Sequence, residues 1–187
     1  MKTFNKILLS LTLFTGLCCL TIPGYSQGEK LTRQEKKEVR KAVLARNFEI
    51  LDSLINARSF VLSADFLQSR TGEVIPVVST LNFIKVDKDR GTLQTGANSG
   101  MGYNGVGGVT AEGRIGTWKL TKDVKKQYYM LHFSLDTQLG NYDVFLTVSA
   151  DNHASATISG LGPGRLTWNG HIATLNNARI FKGQNSI

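Results

Sequence analysis

Cysteine is almost missing from this 187-residue chain: the two present, Cys18 and Cys19, stand side by side near the start. The rest of the chain therefore has no thiolate nucleophile, no sulfur ligand for a metal and no disulfide to support a small core. A long apolar run is missing too. The uncharged stretch Ile7–Leu20 is 14 residues, short of the roughly 20 that a membrane-spanning helix needs. Nothing after Ser26 is comparable, so no transmembrane segment is expected. Acidic residues are scarce, 14 against 22 Lys and Arg, and residues 1–26 contain none.

What is present at the start is a basic end (Lys2, Lys6), the apolar run, and a small-residue exit at Gly24-Tyr25-Ser26. That layout predicts a secretory signal peptide over 1–26, cleaved to leave Gln27 first, and so an exported protein of the periplasm or cell envelope. A lipid anchor at Cys18 or Cys19 fits less well. A bacterial lipoprotein needs a small residue before the modified cysteine, and Leu17 and Cys18 stand there. Export separates the chain from ATP and nucleic acid, and its basic residues lack the interleaved aromatics that stack on bases.

Loss of Lys2 and Lys6 takes the formal charge from +8 to +6, and residues 28–46 carry seven Lys/Arg against three Glu. A basic surface of this kind suits anionic headgroups, polysaccharide or an acidic partner. A solvated helix face is the plainer reading. After a short segment at 27–31, residues 32–57 read as one amphipathic helix. Thr32 and Glu35 form a capping box. Leu44, Phe48, Leu51 and Ile55 make one stripe, widened by Val39, Val43 and Leu54. Two charged turns come first, so the helix is expected to dock by its second half.

From Arg58 the period falls to two, predicting a β domain over 58–183. Phe60, Leu62, Ala64 and Phe66 alternate with Val61, Ser63 and Asp65. Further strands are expected at Leu81–Val86, Gly91–Gly96, Val109–Lys119, Gln127–Asp136, Tyr142–Ala150, Ala154–Ser159 and Leu166–Ile172, with a weaker one at Ala178–Lys182. Short turns between them favour antiparallel pairing. The fold class is thus mainly β: one N-terminal amphipathic helix, then an eight- or nine-stranded antiparallel meander forming a barrel-like or sandwich sheet, in a single domain. Glycine kinks or bulges are expected at Gly113 and Gly170.

Residues 96–116 hold eight glycines. Gly100-Met-Gly102-Tyr-Asn-Gly105 matches G-x-G-x-x-G, but the residues that follow, Val-Gly-Gly-Val-Thr, cannot open the helix that would face a pyrophosphate. No dinucleotide or other cofactor is assigned. A tight irregular connection accounts for these glycines. The sharper reading is a rim loop where a ligand meets the main chain, with Tyr103, Asn104, Gly105, Gly107, Gly108 and Glu112 as candidate binding residues. The three histidines, His132, His153 and His171, lack metal-ligand spacing, so no metal site is assigned. His132 is read as an outward, solvated residue. No Gly-x-Ser-x-Gly elbow occurs, and no catalytic residue is assigned.

Phe60-Val-Leu-Ser-Ala-Asp65, Leu81-Asn-Phe-Ile-Lys-Val86, Asn104-Gly-Val-Gly-Gly-Val-Thr-Ala-Glu-Gly113 and Leu166-Thr-Trp-Asn-Gly170 together resemble a domain-of-unknown-function family of small exported bacterial proteins. The resemblance covers about residues 35–183, and the Asn-Gly-x-Gly-Gly segment is its most specific part. It implies a β-barrel-like or sandwich domain at the envelope and no particular activity. Three functional readings follow. The first is a non-catalytic domain binding a small apolar, lipid or glycan ligand, with Tyr103, Trp118, Tyr128 and Trp168 as possible contact surface. The second is an envelope structural or protein-interaction module with no identified partner. The third is a hydrolase with a spatially assembled carboxylate or histidine site. A ligand binder needs an apolar cavity of about 300 Å³ or more, an interaction module a filled interior with an exposed patch.

Overall fold

The structure, a computed structural model, describes residues 31–97, 106–160 and 165–186. The chain divides into two compact units, Met1–Lys37 and Glu38–Ile187. In the described part of the first, the expected cap forms: Thr32 N–H donates to Glu35 Oε2 at 2.7 Å and Glu35 N–H to Thr32 Oγ1 at 3.3 Å. These bonds satisfy donors that the first turn of a helix leaves open. Helix α1 runs over Arg33–Asn56. It ends on Arg58, whose backbone takes the left-handed φ of +50° usually left to glycine. The Arg58 guanidinium lies 4.6 Å from the ring centre of Trp118, a cation–π contact that holds this end.

Nine strands follow: β1 (Ser59–Gln68), β2 (Val74–Pro76), β3 (Phe83–Asp87), β4 (Arg90–Gln94), β5 (Thr110–Asp123), β6 (Tyr128–Thr137), β7 (Gly140–Ser149), β8 (Ala154–Ser159) and β9 (Arg165–Ala173). Each of β3 to β8 pairs antiparallel with the next, and β1 pairs with both β3 and β9. Eight strands thus close a barrel. The extra strand β2 lies along the second half of β1, on the edge whose first half carries β3.

An eight-stranded barrel is just wide enough for side chains to fill it, and here they do. Phe60, Leu62, Ile84, Leu93, Tyr129, Phe133, Leu135, Ile158 and Trp168 are all buried in one cluster. The helix closes one end: Phe48, Leu51 and Ile55 are buried in that same cluster. Val39 and Val43, expected to widen the stripe, are half exposed instead, because the docked stretch begins only at Leu44. The Phe48 ring stacks on Tyr129 at 4.9 Å. Beside it, Asp52 Oδ1 accepts from the Tyr129 hydroxyl at 2.6 Å and from Lys122 Nζ at 2.9 Å.

Three details depart from the alternating pattern. Asp65 is an extra residue opposite β9, between the pairs Ala64–Gly170 and Phe66–Asn169. The bulge shifts the phase by one, so Phe66 points outward and Leu67 takes the inward place expected of Phe66. Second, Gly170 faces that bulge, as expected of it, whereas Gly113 lies in regular pairing; an added Cβ would strike the carbonyl of Ser63 at the first and of Asp136 at the second. The β5 bulge falls after Ile115, where Gly116 and Thr117 stand against Ser134.

Third, Ala178–Lys182 is not a strand. The tail crosses the outer wall of β3 to β5 and is held mainly by side chains. Gln94, wholly buried, donates to the carbonyls of Phe181 and Leu81 at 2.8 and 3.1 Å. Its Oε1 accepts from Gly183 N–H and from the Thr110 hydroxyl. Tail residues therefore need no ladder of their own to satisfy their backbone groups.

Candidate functional site

At the end of the barrel opposite the helix, the described residues leave a cleft. There the wall changes from β3 to β2: Ala64 N–H donates to Asn82 O, and Val77 N–H donates to Asp65 O. Residues 77–82 turn back between the two strands, and a cleft of about 530 Å³ opens beside them. Leu67, Ile75, Pro76, Val77 and Val78 form one side, and Asn82, Thr95, Gly96, Ala97 and Gly107 the other. This lies within the roughly 300–1,000 Å³ of small-molecule sites.

The cleft is apolar because its one buried amide is already occupied. Asn82 Nδ2 donates to the carbonyls of Val78 and Gly96, both at 3.0 Å, and Gly96 N–H donates to Asn82 Oδ1 at 3.1 Å. The side chain thus meets both backbone groups of Gly96, as a neighbouring strand would. Around the opening, Phe66, Val74 and Ile75 keep about half their surface in contact with solvent. By strand alternation Phe66 and Val74 lie on the outer face of the β1–β2 ladder and Ile75 on the face toward the cleft.

The edge of β2 shows what the cleft is not shaped for. Val77 and Ser69 pair with Asp65 and Glu73 through backbone bonds. Alternation then turns the backbone groups of Ile75 toward β1 and those of Val74 and Pro76 away from it. Proline has no N–H, so this free edge lacks a donor that an added strand would use.

Of the residues expected to bind, Tyr103, Asn104 and Gly105 lie outside the described residues. Gly107 is on the cleft wall with a φ of +81°. Gly108 stands next to it, where a Cβ would collide with the Thr95 carbonyl. Glu112 is elsewhere: on the outer wall it binds Lys182 and, at 3.3 Å each, Asn185 and Arg90. The Lys182 ammonium, with help from Asn185 and Arg90, holds its carboxyl below the usual range against an opposing effect of burial. Glu112 is a tail anchor. Sequence reading missed Leu67, Ile75 and Val77, which fell outside every expected strand, and Asn82, which alternation treats as an ordinary wall residue.

The histidines are scattered. His132 is on the outer wall, as expected, but it is not simply solvated. Its ring stacks parallel on Phe145 at 4.2 Å, and its Nε2 lies 3.1 Å from Asp143. His171 Nδ1 lies 3.2 Å from Asp65 across the β1–β9 seam. Neither pair lines the cleft. Among the described residues no group of three or more His, Cys, Asp or Glu is arranged to hold a metal ion, and no helix is long and apolar enough to cross a membrane.

A crystal structure of a DUF4251 family protein from Bacteroides eggerthii DSM 20697 is similar to this chain, with 32% identity and a TM-score of 0.63. The match covers 75% of this chain and 96% of the other. No curated protein matches the chain. The model of the domain of unknown function DUF4251 matches residues 30–172, the docked helix and the strands through Ile172 included. With that span matched, the chain belongs to the DUF4251 family.

Proposed function

We propose that this is an exported, non-catalytic binding domain of the cell envelope, which takes an apolar small molecule or a lipid acyl chain in the cleft at the open mouth of its barrel. The cleft carries the reading. It has the volume of a ligand site, its walls are aliphatic, and its one buried amide is spent on the protein's own backbone. A ligand here gains by burying apolar surface, about 25 cal/mol per Å², and meets few groups that demand hydrogen bonds. Glycans, which bring many hydroxyls, suit such walls poorly. Pro76 on the β2 edge disfavours a bound peptide strand. The leader-like layout of residues 1–26 in the sequence supports export. Gly107 gives the main chain its place on the wall, and Tyr103, Asn104 and Gly105 remain proposed contacts from the same stretch of sequence.

The barrel supplies its own reporter. Trp168 pairs with Leu67 across the seam, both pointing inward at the cleft end, whereas Trp118 lies by Arg58 at the helix end. Titration with a brominated fatty acid should quench Trp168 at one-to-one stoichiometry, in wild type and in Trp118→Phe alike. Ile75→Glu, at a half-exposed position, should weaken binding by about tenfold or more, the cost of a charge facing an apolar ligand. Absence of saturable quenching, or equal affinity in Ile75→Glu, overturns the reading.

A further inference from the structure

The helix has an exposed apolar strip that the barrel does not use. Val39, Val43 and Ile50 are 51%, 51% and 47% exposed. At 3.6 residues per turn they share a sector about 40° wide, some 130° around from the docking stripe of Leu44, Phe48, Leu51 and Ile55. Arg46 borders the strip on one side and Arg40 on the other. Glu38 and Glu49 fall on a third face, away from it. Over Glu38–Ile50, an apolar strip between cations with the acids sorted to another face is the pattern of a helix lying in a lipid interface.

A second observation separates lipid from other anions. Beyond Ile50 the strip runs into a groove of about 130 Å³ between the helix and the barrel rim, lined by Ile50, Leu51, Leu54, Ala150 and Ile172 among others. The end of an acyl chain can lodge against its aliphatic side chains, whereas a polyanion meets there only the amides of Asn47 and Asn152. The strip also offers no aromatic ring on which a sugar could stack.

We infer that the exposed face of α1 from Glu38 to Ile50 docks the protein on an anionic bilayer surface. The arginines meet the headgroups, and Val39, Val43 and Ile50 enter the acyl boundary. This surface is at the helix end, opposite the cleft, so it stands independently of the ligand reading and leaves the cleft mouth open.

Vesicle co-flotation tests it, with the protein as isolated from its cell and its N-terminus fixed by intact mass. Wild type should float with vesicles of mixed phosphatidylglycerol and phosphatidylcholine, and far less with phosphatidylcholine alone. Arg40→Gln with Arg46→Gln should lower partitioning by about tenfold or more, at roughly fivefold per cation. Val39→Ser with Val43→Ser and Ile50→Ser should do the same without changing the melting temperature, since all three positions are exposed. Equal flotation of either variant and wild type overturns the proposal. So does binding to a soluble polyanion in preference to the vesicles, or a dimer in ultracentrifugation that the triple variant dissolves.

Discussion

The two ends of this barrel are made of the same strands and finish differently. At one end, Phe48, Leu51 and Ile55 fill the opening, and Asp52, Tyr129 and Lys122 form a hydrogen-bonded cluster at its edge. At the other, β3 stops at Phe83, β2 takes over the edge of β1, and Phe66, Val74 and Ile75 stay in contact with water. A closed sheet removes strand edges along its sides but leaves both ends to be finished by other means. The plugged end carries stability. The other end carries the cleft, and the rim formed by Phe66, Val74 and Ile75 contributes little to holding the fold.

Substitution of one isoleucine at each end sharpens this contrast most. Ile55→Ala, at a wholly buried site, should cost roughly 2–5 kcal/mol in chemical denaturation. The same change at Ile75 should cost about 0.5 kcal/mol or less. Comparable losses at the two sites would break the distinction. Next in size is the clamp on the outer wall. Gln94→Leu leaves the Phe181 carbonyl and Gly183 N–H without their partner, a loss of roughly 1–3 kcal/mol. Limited proteolysis should then clip the tail near Arg179 or Lys182 while the barrel survives.

The smallest effect is one of pH. Hydrogen bonds from Lys122 first and Tyr129 second hold the Asp52 carboxyl below its ordinary 3.8. A folded-state value below the unfolded one means that this carboxylate stabilises the fold above 3.8. The contribution fades as the pH falls past that point through the depressed value. Asp52→Asn should therefore melt below wild type near neutrality, with the two curves converging in acid. A gap that stays constant with pH would remove Asp52 from the account of the plugged end.

Much of the architecture was legible in the sequence because it rests on local rules. The capping box at Thr32 and Glu35 and the stripe from Leu44 to Ile55 are written in helical spacing. The wall strands are written in alternation. Phe66 was misplaced because a bulge inserts one residue without changing composition, and every position beyond it reverses. β2 escaped notice because Val74–Pro76 is short and exposed at every position, so no period marks it. Ala178–Lys182 read as a strand from its apolar residues, whereas its place is set by Gln94, some 90 residues earlier. The cleft was illegible for the same reason. Its sides come from Leu67 and Gly107, which the successive pairings of β1, β3, β4 and β5 bring to one mouth.

Ring closure has a consequence for how the protein is made. Asp65 and His171, adjacent across the β1–β9 seam, are 106 residues apart in the chain, so the ring is sealed by nearly its most distant pairing. Contacts of such separation form late and slowly. A nascent polypeptide that has not yet reached Arg165 has β1 waiting with one bare flank, and β8 with another. Truncation anywhere before the final strand should turn a self-contained ring into an open ribbon that pairs with its neighbours.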